Sequence, residues 1–278
     1  MKKLKAILSR LNNRRKRNAH AVRNNALIAQ EAVAVGAVPW SEVQKFFELF
    51  TPYKTQHELV RIGPNLDGGY LVPNDLDGLC AVFSPGVSDT LGFDLEMSNR
   101  VNACYLADAS IEPPKGMPSN MTFVQKFLGM ENKDNTITLD RWVSAHTQPG
   151  DDLLLQIDIE GAEYDVFNTV SDEILNQFRI ILVEFHHLDQ VFDRAQFDKM
   201  STTVRKLTDT HVLCHLHANN FSPLYQFKGR DIPPLVEATY LRKDRVSGAL
   251  TPAQVPQLLD QRNVTRFDDT PTPAFWKS

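Results

Sequence analysis

Three carboxylates follow an apolar run in the middle of the chain. The run from Leu153 to Ile157 leads into Asp158, Glu160 and Glu163, and Gly161 permits a tight exit into a predicted helix. A near-continuous hydrophobic run is typical of a buried parallel strand, and open α/β sheets bind ligands at the carboxyl ends of such strands. These acids therefore mark a candidate active site, although acids also favour the first turn of any helix.

A single-glycine turn and a second acid indicate which kind of ligand the site binds. The turn from Ser84 to Thr90 follows an apolar run but contains only Gly86, whereas a dinucleotide pyrophosphate requires a G-x-G-x-x-G turn. Asp108 ends the next apolar run, where a carboxylate accepts hydrogen bonds from ribose hydroxyls. A nucleoside without a pyrophosphate, such as S-adenosylmethionine, satisfies both observations.

The elements that must position these residues alternate along the chain. Short apolar runs separated by helical or loop segments predict seven strands, at 79–84, 101–107, 121–124, 153–159, 179–185, 211–217 and 235–242. Such alternation predicts an α/β fold with a doubly wound, mostly parallel, Rossmann-like sheet. The last two runs are close enough in sequence to pair antiparallel, so we expect an antiparallel edge strand. The Asp67-Gly68-Gly69 sequence predicts a hairpin turn before the sheet.

Charged residues are unevenly distributed along the 278-residue chain. Residues 1–23 contain nine of the 30 basic residues and no acid, which leaves 21 basic against 34 acidic residues in the rest. An acidic main body excludes general nucleic-acid binding, which needs a basic face. We divide the chain into a basic N-terminal helical cap at 1–55, a catalytic domain at 56–250 and an irregular tail at 251–278. Phe46, Phe47 and Phe50 are expected to dock the cap, and Phe267, Phe275 and Trp276 the tail.

The N-terminal segment has the pattern of a basic amphipathic helix. Leu4, Ile7, Leu8 and Leu11 recur at helical spacing among lysines and arginines. One interpretation is a solvated helix; the alternative is weak peripheral contact of residues 1–24 with an anionic membrane. We find no apolar run long enough to span a bilayer and no signal-type cleavage site.

The cysteines point to a reducing compartment. Cys80, Cys104 and Cys214 are odd in number, lie in or beside apolar runs and show no paired spacing. They therefore predict neither a disulfide framework nor a zinc site, and we expect a cytoplasmic protein.

Several motifs together resemble the FkbM-like methyltransferases, which are class I enzymes dependent on S-adenosylmethionine. The most specific are Thr138-Leu-Asp-Arg-Trp and Leu155-Gln-Ile-Asp-Ile-Glu-Gly-Ala-Glu, in which Gln156 replaces the family's lysine. Similar pieces between residues 61 and 244 are Asp67-Gly-Gly-Tyr, Gly86-Val-Ser-Asp, Val183-Glu-Phe-His and His215-Leu-His-Ala-Asn-Asn. The resemblance implies O-methylation of a hydroxyl, typically on a sugar or natural product.

The resemblance also implies roles for individual residues. Gly86 would let the methionine part of the cofactor approach the backbone, with Ser88 and Asp89 as further cofactor contacts. Asp108 would hold the ribose, and Asp158 would face the transfer site.

Histidines at two strand ends supply candidates for the proton transfer. Glu184 and His186 share one strand face, as do His215 and His217, and we expect them to converge near Asp158. A general base assists a hydroxyl nucleophile, and His217 is the first candidate for it, with His186 second.

A metal ion is the alternative means of activating the hydroxyl. Asp158, Glu184, His186 and His217 could instead ligate Mg²⁺ or Mn²⁺. Asp67, Glu160, Asn219 and Asn220 are candidate contacts to a polyhydroxyl substrate. His187 and His211 we interpret as structural.

The sequence thus predicts a sugar or glycan O-methyltransferase. An alternative of another class is a non-catalytic nucleotide- or glycan-binding module on the same fold, favoured by the low glycine content of the first turn. A Rossmann oxidoreductase is disfavoured by the missing three-glycine turn.

Overall fold

We describe the fold from a computed structural model, in which residues 37–87 and 91–276 are described. Six α-helices and fifteen strands follow one another along this part of the chain. The helices are Trp40–Glu48 (α1), Gly92–Ser98 (α2), Leu139–Ser144 (α3), Glu163–Thr169 (α4), Asp172–Leu175 (α5) and Arg194–Thr210 (α6). The strands are Tyr53–Lys54 (β1), Leu59–Ile62 (β2), Tyr70–Pro73 (β3), Ala81–Pro85 (β4), Ala103–Ala107 (β5), Met121–Val124 (β6), Phe127–Leu128 (β7), Thr136–Ile137 (β8), Leu153–Ile157 (β9), Phe178–Phe185 (β10), His211–Ala218 (β11), Tyr225–Phe227 (β12), Arg230–Ile232 (β13), Val236–Arg242 (β14) and Thr251–Pro252 (β15).

Seven of these strands form the central sheet. Their spatial order is β11-β14-β10-β9-β4-β5-β6, and each corresponds to one of the seven predicted apolar runs. All neighbours pair in parallel except β14, which is antiparallel to both β10 and β11. The predicted doubly wound, mostly parallel sheet is confirmed. Its antiparallel strand lies one place in from the edge, between β10 and β11.

Both faces of the sheet are buried, which explains the near-continuous apolar strands. All eight residues of β10 are buried. One face packs against α1 and α3 to α6 through residues such as Phe46 and Trp142. The other packs against α2 and the hairpin formed by β2 and β3, through residues such as Phe93 and Val72. The predicted hairpin is therefore present, and its turn lies on the same face of the sheet as α2.

The aromatic residues at the two ends of the described chain pack on each other. Phe46, Phe47 and Phe50 are buried as expected, and Trp276 stacks on Phe50 at a centroid distance of 6.1 Å. Phe275 stacks on Phe47 at 4.7 Å.

Residues 251–276 of the tail are largely irregular. The structure describes in them only the short strand β15, which pairs with β1, and a 3-10 turn at Ala274–Trp276. Of its three predicted docking residues, Phe267 remains 42% exposed. The predicted basic helix at the N-terminus lies outside the described residues. Within the described ranges, we find no helix that is long and apolar enough to cross a bilayer.

The buried indole of Trp276 leads to a prediction about stability. Trp276→Ala should lower the free energy of unfolding by about 3 to 5 kcal/mol, because loss of the buried indole leaves a cavity between α1 and the sheet. Phe267→Ala, a change of an exposed aromatic residue in the same tail, should cost less than about 1 kcal/mol. Urea unfolding of the two variants measures both values. Equal losses would contradict the docking of the tail through Trp276.

Candidate active site

Three strand ends meet at the carboxyl edge of the sheet. The N–H of Gly86, just after β4, donates to the carbonyl of Ala107 at the end of β5, at 2.9 Å. The N–H of Asp158, just after β9, donates to the carbonyl of Pro85 at 3.4 Å. These bonds bring the glycine turn, Asp108 and Asp158 side by side, at the position where open α/β sheets bind ligands.

Gly86 is required by its contact with the neighbouring loop. Its φ is +89°, and a Cβ added there would lie 1.7 Å from the carbonyl oxygen of Asp158. The family resemblance implies one reason for this glycine, the approach of the cofactor to the backbone. The contact with Asp158 supplies a second reason, because any side chain at Gly86 would separate the ends of β4 and β9.

Asp108 has a fixed side chain at the end of β5. The residue is 7% exposed, and its Oδ1 accepts a hydrogen bond from the N–H of Ser110 at 2.6 Å. One carboxylate oxygen is thereby oriented by the backbone. Ser88 and Asp89, the other predicted cofactor contacts in the β4 turn, lie outside the described residues.

Asp158, Glu163 and His186 form one group beside this turn. Glu163 begins α4 and is fully buried, and its Oε1 accepts from the N–H groups of Ile159 and Gly161 at 3.0 and 3.1 Å. The same oxygen lies 3.0 Å from Nδ1 of His186, whose Nε2 lies 3.7 Å from Oδ1 of Asp158. His186 therefore bridges two carboxylates.

These contacts fix the protonation of the group. Burial lowers the pKa of His186, but the carboxylates of Glu163 and Asp158 outweigh it and raise that pKa to about 9. Burial raises the pKa of Asp158 to about 7, although His186 opposes the change. A histidine that holds its proton at neutral pH cannot accept another, so the surroundings of His186 argue against the predicted role as a base.

A second group crosses three neighbouring strands. Glu184 on β10 is the pairing partner of Glu237 on β14, and Glu237 is the partner of His217 on β11. Nδ1 of His217 lies 3.5 Å from Glu237, and its Nε2 lies 3.3 Å from Asp269 in the tail. Burial lowers the pKa of His217, but Asp269 and Glu237 outweigh burial and raise it to about 10.

The predicted role of His217 as the first base is therefore not supported. Its imidazole holds a proton between two carboxylates and acts as their counterion. The predicted set of four metal ligands is also divided. His186 contacts Asp158, whereas the contacts of His217 are to Glu237 and Asp269.

Glu184 connects the two groups. Its carboxyl hydrogen-bonds Asp158, and Nδ2 of Asn219 donates to its Oε1 at 2.8 Å. Burial and the carboxylates of Asp158 and Glu237 raise the pKa of Glu184 well above its usual value. We therefore assign the shared proton to Glu184, which donates it towards Asp158.

The four predicted substrate contacts differ in their exposure and in their hydrogen-bond partners. Asp67 and Glu160 are exposed in loops, and Glu160 has a left-handed backbone with φ 60°. Asn219 is bound to Glu184, as described above. The side-chain nitrogen of Asn220 donates to three backbone carbonyls of the tail, at Val264, Phe267 and Asp268. Asn220 thus anchors the tail, and its side-chain amide is occupied by these hydrogen bonds.

His215 and His211 make hydrogen-bonding contacts within the fold. Nε2 of His215 lies 2.7 Å from Asp260, a buried contact between β11 and the tail. Nε2 of His211 lies 2.7 Å from the carbonyl oxygen of Phe178, which agrees with a structural role.

Gln156, which replaces the family's lysine, belongs to a neutral chain of side chains. Ser84 donates to its Oε1 at 2.7 Å, and its Nε2 donates to the hydroxyl of Tyr70 at 3.0 Å. Burial, followed by the charges of Asp158 and Glu184, raises the pKa of Tyr70 well above its usual value. Tyr70 completes the Asp67-Gly-Gly-Tyr motif, so the motif offered a signal for it. Glu237, Asn263 and Asp269 offered none, because the strand run and the tail that contain them have no recognisable motif.

Comparison with known proteins agrees with this architecture. The sequence model of the family described as "Methyltransferase FkbM domain" matches residues 12–210, most of the chain. The chain belongs to this family. No curated protein matches it significantly in sequence.

Two solved structures align with part of the chain at low similarity. Precorrin 8W decarboxylase from Methanobacterium thermoautotrophicum is 14% identical, with a TM-score of 0.34, over 59% of this chain and 82% of that one. A Thermoplasma acidophilum protein is 8% identical, with a TM-score of 0.30, over 60% and 80%. Both similarities are too low to support a functional argument.

The contact between Gly86 and Asp158 leads to a prediction with an internal control. Gly116 also has a positive φ, of +78°, but a Cβ there would meet nothing within 4 Å. Gly116→Ala should therefore cost only the backbone strain, about 1 kcal/mol of unfolding free energy. Gly86→Ala should cost about 3 kcal/mol or more, since it adds a collision with backbone. Chemical denaturation of both variants tests this difference, and similar costs would contradict the close approach of the two loops.

Proposed function

We propose that this member of the FkbM family is an S-adenosylmethionine-dependent O-methyltransferase that acts on a hydroxyl of a sugar or glycan. The observation that carries the proposal is the junction of the Gly86 turn, Asp108 and Asp158 at neighbouring strand ends. Family membership supports methyl transfer, and the junction supports the cofactor and the position of the reaction.

The residues at the junction suit an adenosyl cofactor. A single glycine leaves no turn for a pyrophosphate, and the oriented carboxylate of Asp108 is suited to a ribose diol. The carboxylates around Asp158 suit the positive charge of a sulfonium and of an amino-acid ammonium group. When bound, the cofactor would supply an electrophilic methyl group, and the remaining tasks fall to the chain's own residues.

Asp158 is the candidate general base. Its side chain is 33% exposed, whereas His186 at 11% and Glu163 at 0% lie behind it. The pKa of Asp158 near 7 lets it take a proton from a hydroxyl at neutral pH. The protonated His186 then stabilises its charge, and Glu163, held by two backbone N–H groups, positions His186.

A polyhydroxyl acceptor fits the exposed acids around this base. Asp67 and Glu160 lie at the surface. Partial burial and the negative charge of Glu237 raise the pKa of Asp67. Carboxylate oxygens accept hydrogen bonds from hydroxyl groups, and sugars offer several on neighbouring carbons. We therefore propose these two side chains as acceptor contacts.

The site of action in the cell is part of the proposal. Cys80, Cys104 and Cys214 are free thiols in the described chain, which suits a reducing compartment. We propose that the protein acts in the cytoplasm, with residues 1–24 available for contact with an anionic membrane.

Calorimetric titration with S-adenosylmethionine, followed by transfer of a labelled methyl group to nucleotide sugars and extracted glycans, tests the proposal. An enzyme should bind the cofactor and give labelled product. Binding without product from any acceptor would favour the alternative of a non-catalytic binding module. Absence of cofactor binding would overturn the proposal.

Asp108→Ala should weaken binding of S-adenosylmethionine roughly 10- to 100-fold, because charge-assisted hydrogen bonds to the ribose would be lost. Asp134→Ala, a change of an exposed loop carboxylate, is the matched control. Titration calorimetry measures both affinities. An unchanged affinity in Asp108→Ala would remove the ribose assignment.

Asp158 gives a prediction about pH. The base is active when deprotonated, so kcat/KM should rise as the pH increases through about 7, the pKa of the free enzyme's Asp158. Asp158→Asn should lower turnover roughly 100-fold or more and abolish this rise. Asp209→Asn, on the exposed side of α6, should keep both the rate and the profile. A variant Asp158→Asn with the wild-type profile would exclude Asp158 as the base.

A further inference from the structure

Three carboxylates outside the Asp158 group approach one another beneath the hairpin turn. Asp67 lies in the turn between β2 and β3, Glu184 on β10 and Glu237 on β14, and one carboxylate oxygen of each lies within 4.8 Å of the others. Glu184 is 4% exposed and Glu237 is 7% exposed, whereas Asp67 reaches solvent. Oxygens at such separations can share one cation, since Mg²⁺ binds at about 2.1 Å and Ca²⁺ at about 2.3 to 2.6 Å.

The basic side chains nearby either have other partners or pair with only one of the three carboxylates. His217 lies between Glu237 and Asp269, and the guanidinium of Arg61 donates to the carbonyls of Pro64 and Leu66. Among the described residues, neither Asp67 nor Glu184 has an ion pair with a lysine, arginine or histidine. Glu237 therefore has His217 as its counterion and Glu184 is neutral through the proton that it shares with Asp158, whereas the charge of Asp67 has no counterion among the described residues.

A buried oxygen without a partner lies at the same place. Asn263 is 3% exposed, its Nδ2 donates to Oε1 of Glu237, and its side chain also hydrogen-bonds Asp67. Its Oδ1 accepts no hydrogen bond. The two polar atoms of an amide are only about 2.2 Å apart, so this oxygen lies at the border of the carboxylate group. A buried carbonyl oxygen without a donor is costly, and a cation would satisfy it.

We propose that Asp67, Glu184, Glu237 and the side-chain oxygen of Asn263 form a binding site for a hard divalent cation such as Mg²⁺, Mn²⁺ or Ca²⁺. All four ligands are oxygens, which these cations prefer over softer metals. The site differs from the Asp158, Glu163 and His186 group in its ligands, and only one of its carboxylates, that of Glu237, has a histidine counterion.

The cation would connect three parts of the chain that are distant in sequence. Asp67 belongs to the hairpin, Glu184 and Glu237 belong to the sheet, and Asn263 belongs to the tail. The backbone of Asp67 already donates to the carbonyl of Asn263 at 3.0 Å. Cation binding would hold the hairpin turn and the tail against the carboxyl edge of the sheet.

Thermal unfolding of the full chain tests the site without any assay of activity. After EDTA treatment and dialysis, the wild-type chain should gain roughly 5 to 10 °C in Tm at a cation concentration about 100 times Kd. Each of MgCl₂, MnCl₂ and CaCl₂ is tested separately. No gain with any of the three would overturn the proposal.

Asp67→Asn is the main variant, because Asp67 is exposed in a turn and its change should leave the fold intact. Without cation, its Tm should equal or exceed that of the wild type, since one of the facing carboxylates is removed. With cation, the gain in Tm should disappear. Glu173→Gln, on the exposed surface of α5, is the control and should keep the full gain. A gain in Asp67→Asn equal to the wild-type gain would place the cation elsewhere and reject the site.

Glu184→Gln gives a second measurement, at a buried ligand. Titration calorimetry of the wild type with MnCl₂ should show binding, and Glu184→Gln should bind the cation more weakly, because an amide replaces a carboxylate ligand. Equal affinities of the two proteins would contradict Glu184 as a ligand. Cofactor binding and methyl transfer are measured separately, so failure of the proposed function would leave this result unaffected.

Discussion

The close approach of Gly86 to the carbonyl of Asp158 is the contact on which the site depends. It holds the ends of β4 and β9 together, and the bond from Gly86 to Ala107 adds the end of β5. Parallel strands alone would leave their following loops free to diverge. Because the loops are joined by backbone contacts, the carboxylates that follow the strands occupy fixed positions, and a preorganised site costs little further ordering when a ligand binds.

Around this junction, charge is balanced by a small number of protonated side chains. His186 lies between Asp158 and Glu163, and His217 lies between Glu237 and Asp269. Each imidazole is more valuable here as a cation than as a base, because its protonated form relieves the repulsion between one buried carboxylate and one partly exposed carboxylate. The proton-accepting role then falls to Asp158, whose side chain remains partly exposed.

The sequence was sufficient to predict the strands of the sheet and the acidic residues that follow them. The seven strands are long apolar runs, and Asp108 and Asp158 directly follow two of them, so their positions depend on local pattern alone. The relation of His217 to Asp269 could not be predicted in this way, because it depends on where an irregular tail returns to the sheet. The position of β14 between β10 and β11 likewise depends on long-range pairing. Gly86 was predicted as the position where the cofactor approaches the backbone, whereas its close contact with Asp158 is visible only in three dimensions.

The tail has a consequence for how the protein is made. Asn220 and His215 hold it through contacts with Val264 and Asp260. Asn263 of the tail donates to Glu237, and Asp269 of the tail contacts His217. All four tail residues follow the last strand of the sheet in sequence. During synthesis, all seven strands of the sheet are translated before any of these tail partners. The side chains at this edge therefore gain their tail partners only after the last strand of the sheet has been made, and a chain truncated after that strand would lack all of them.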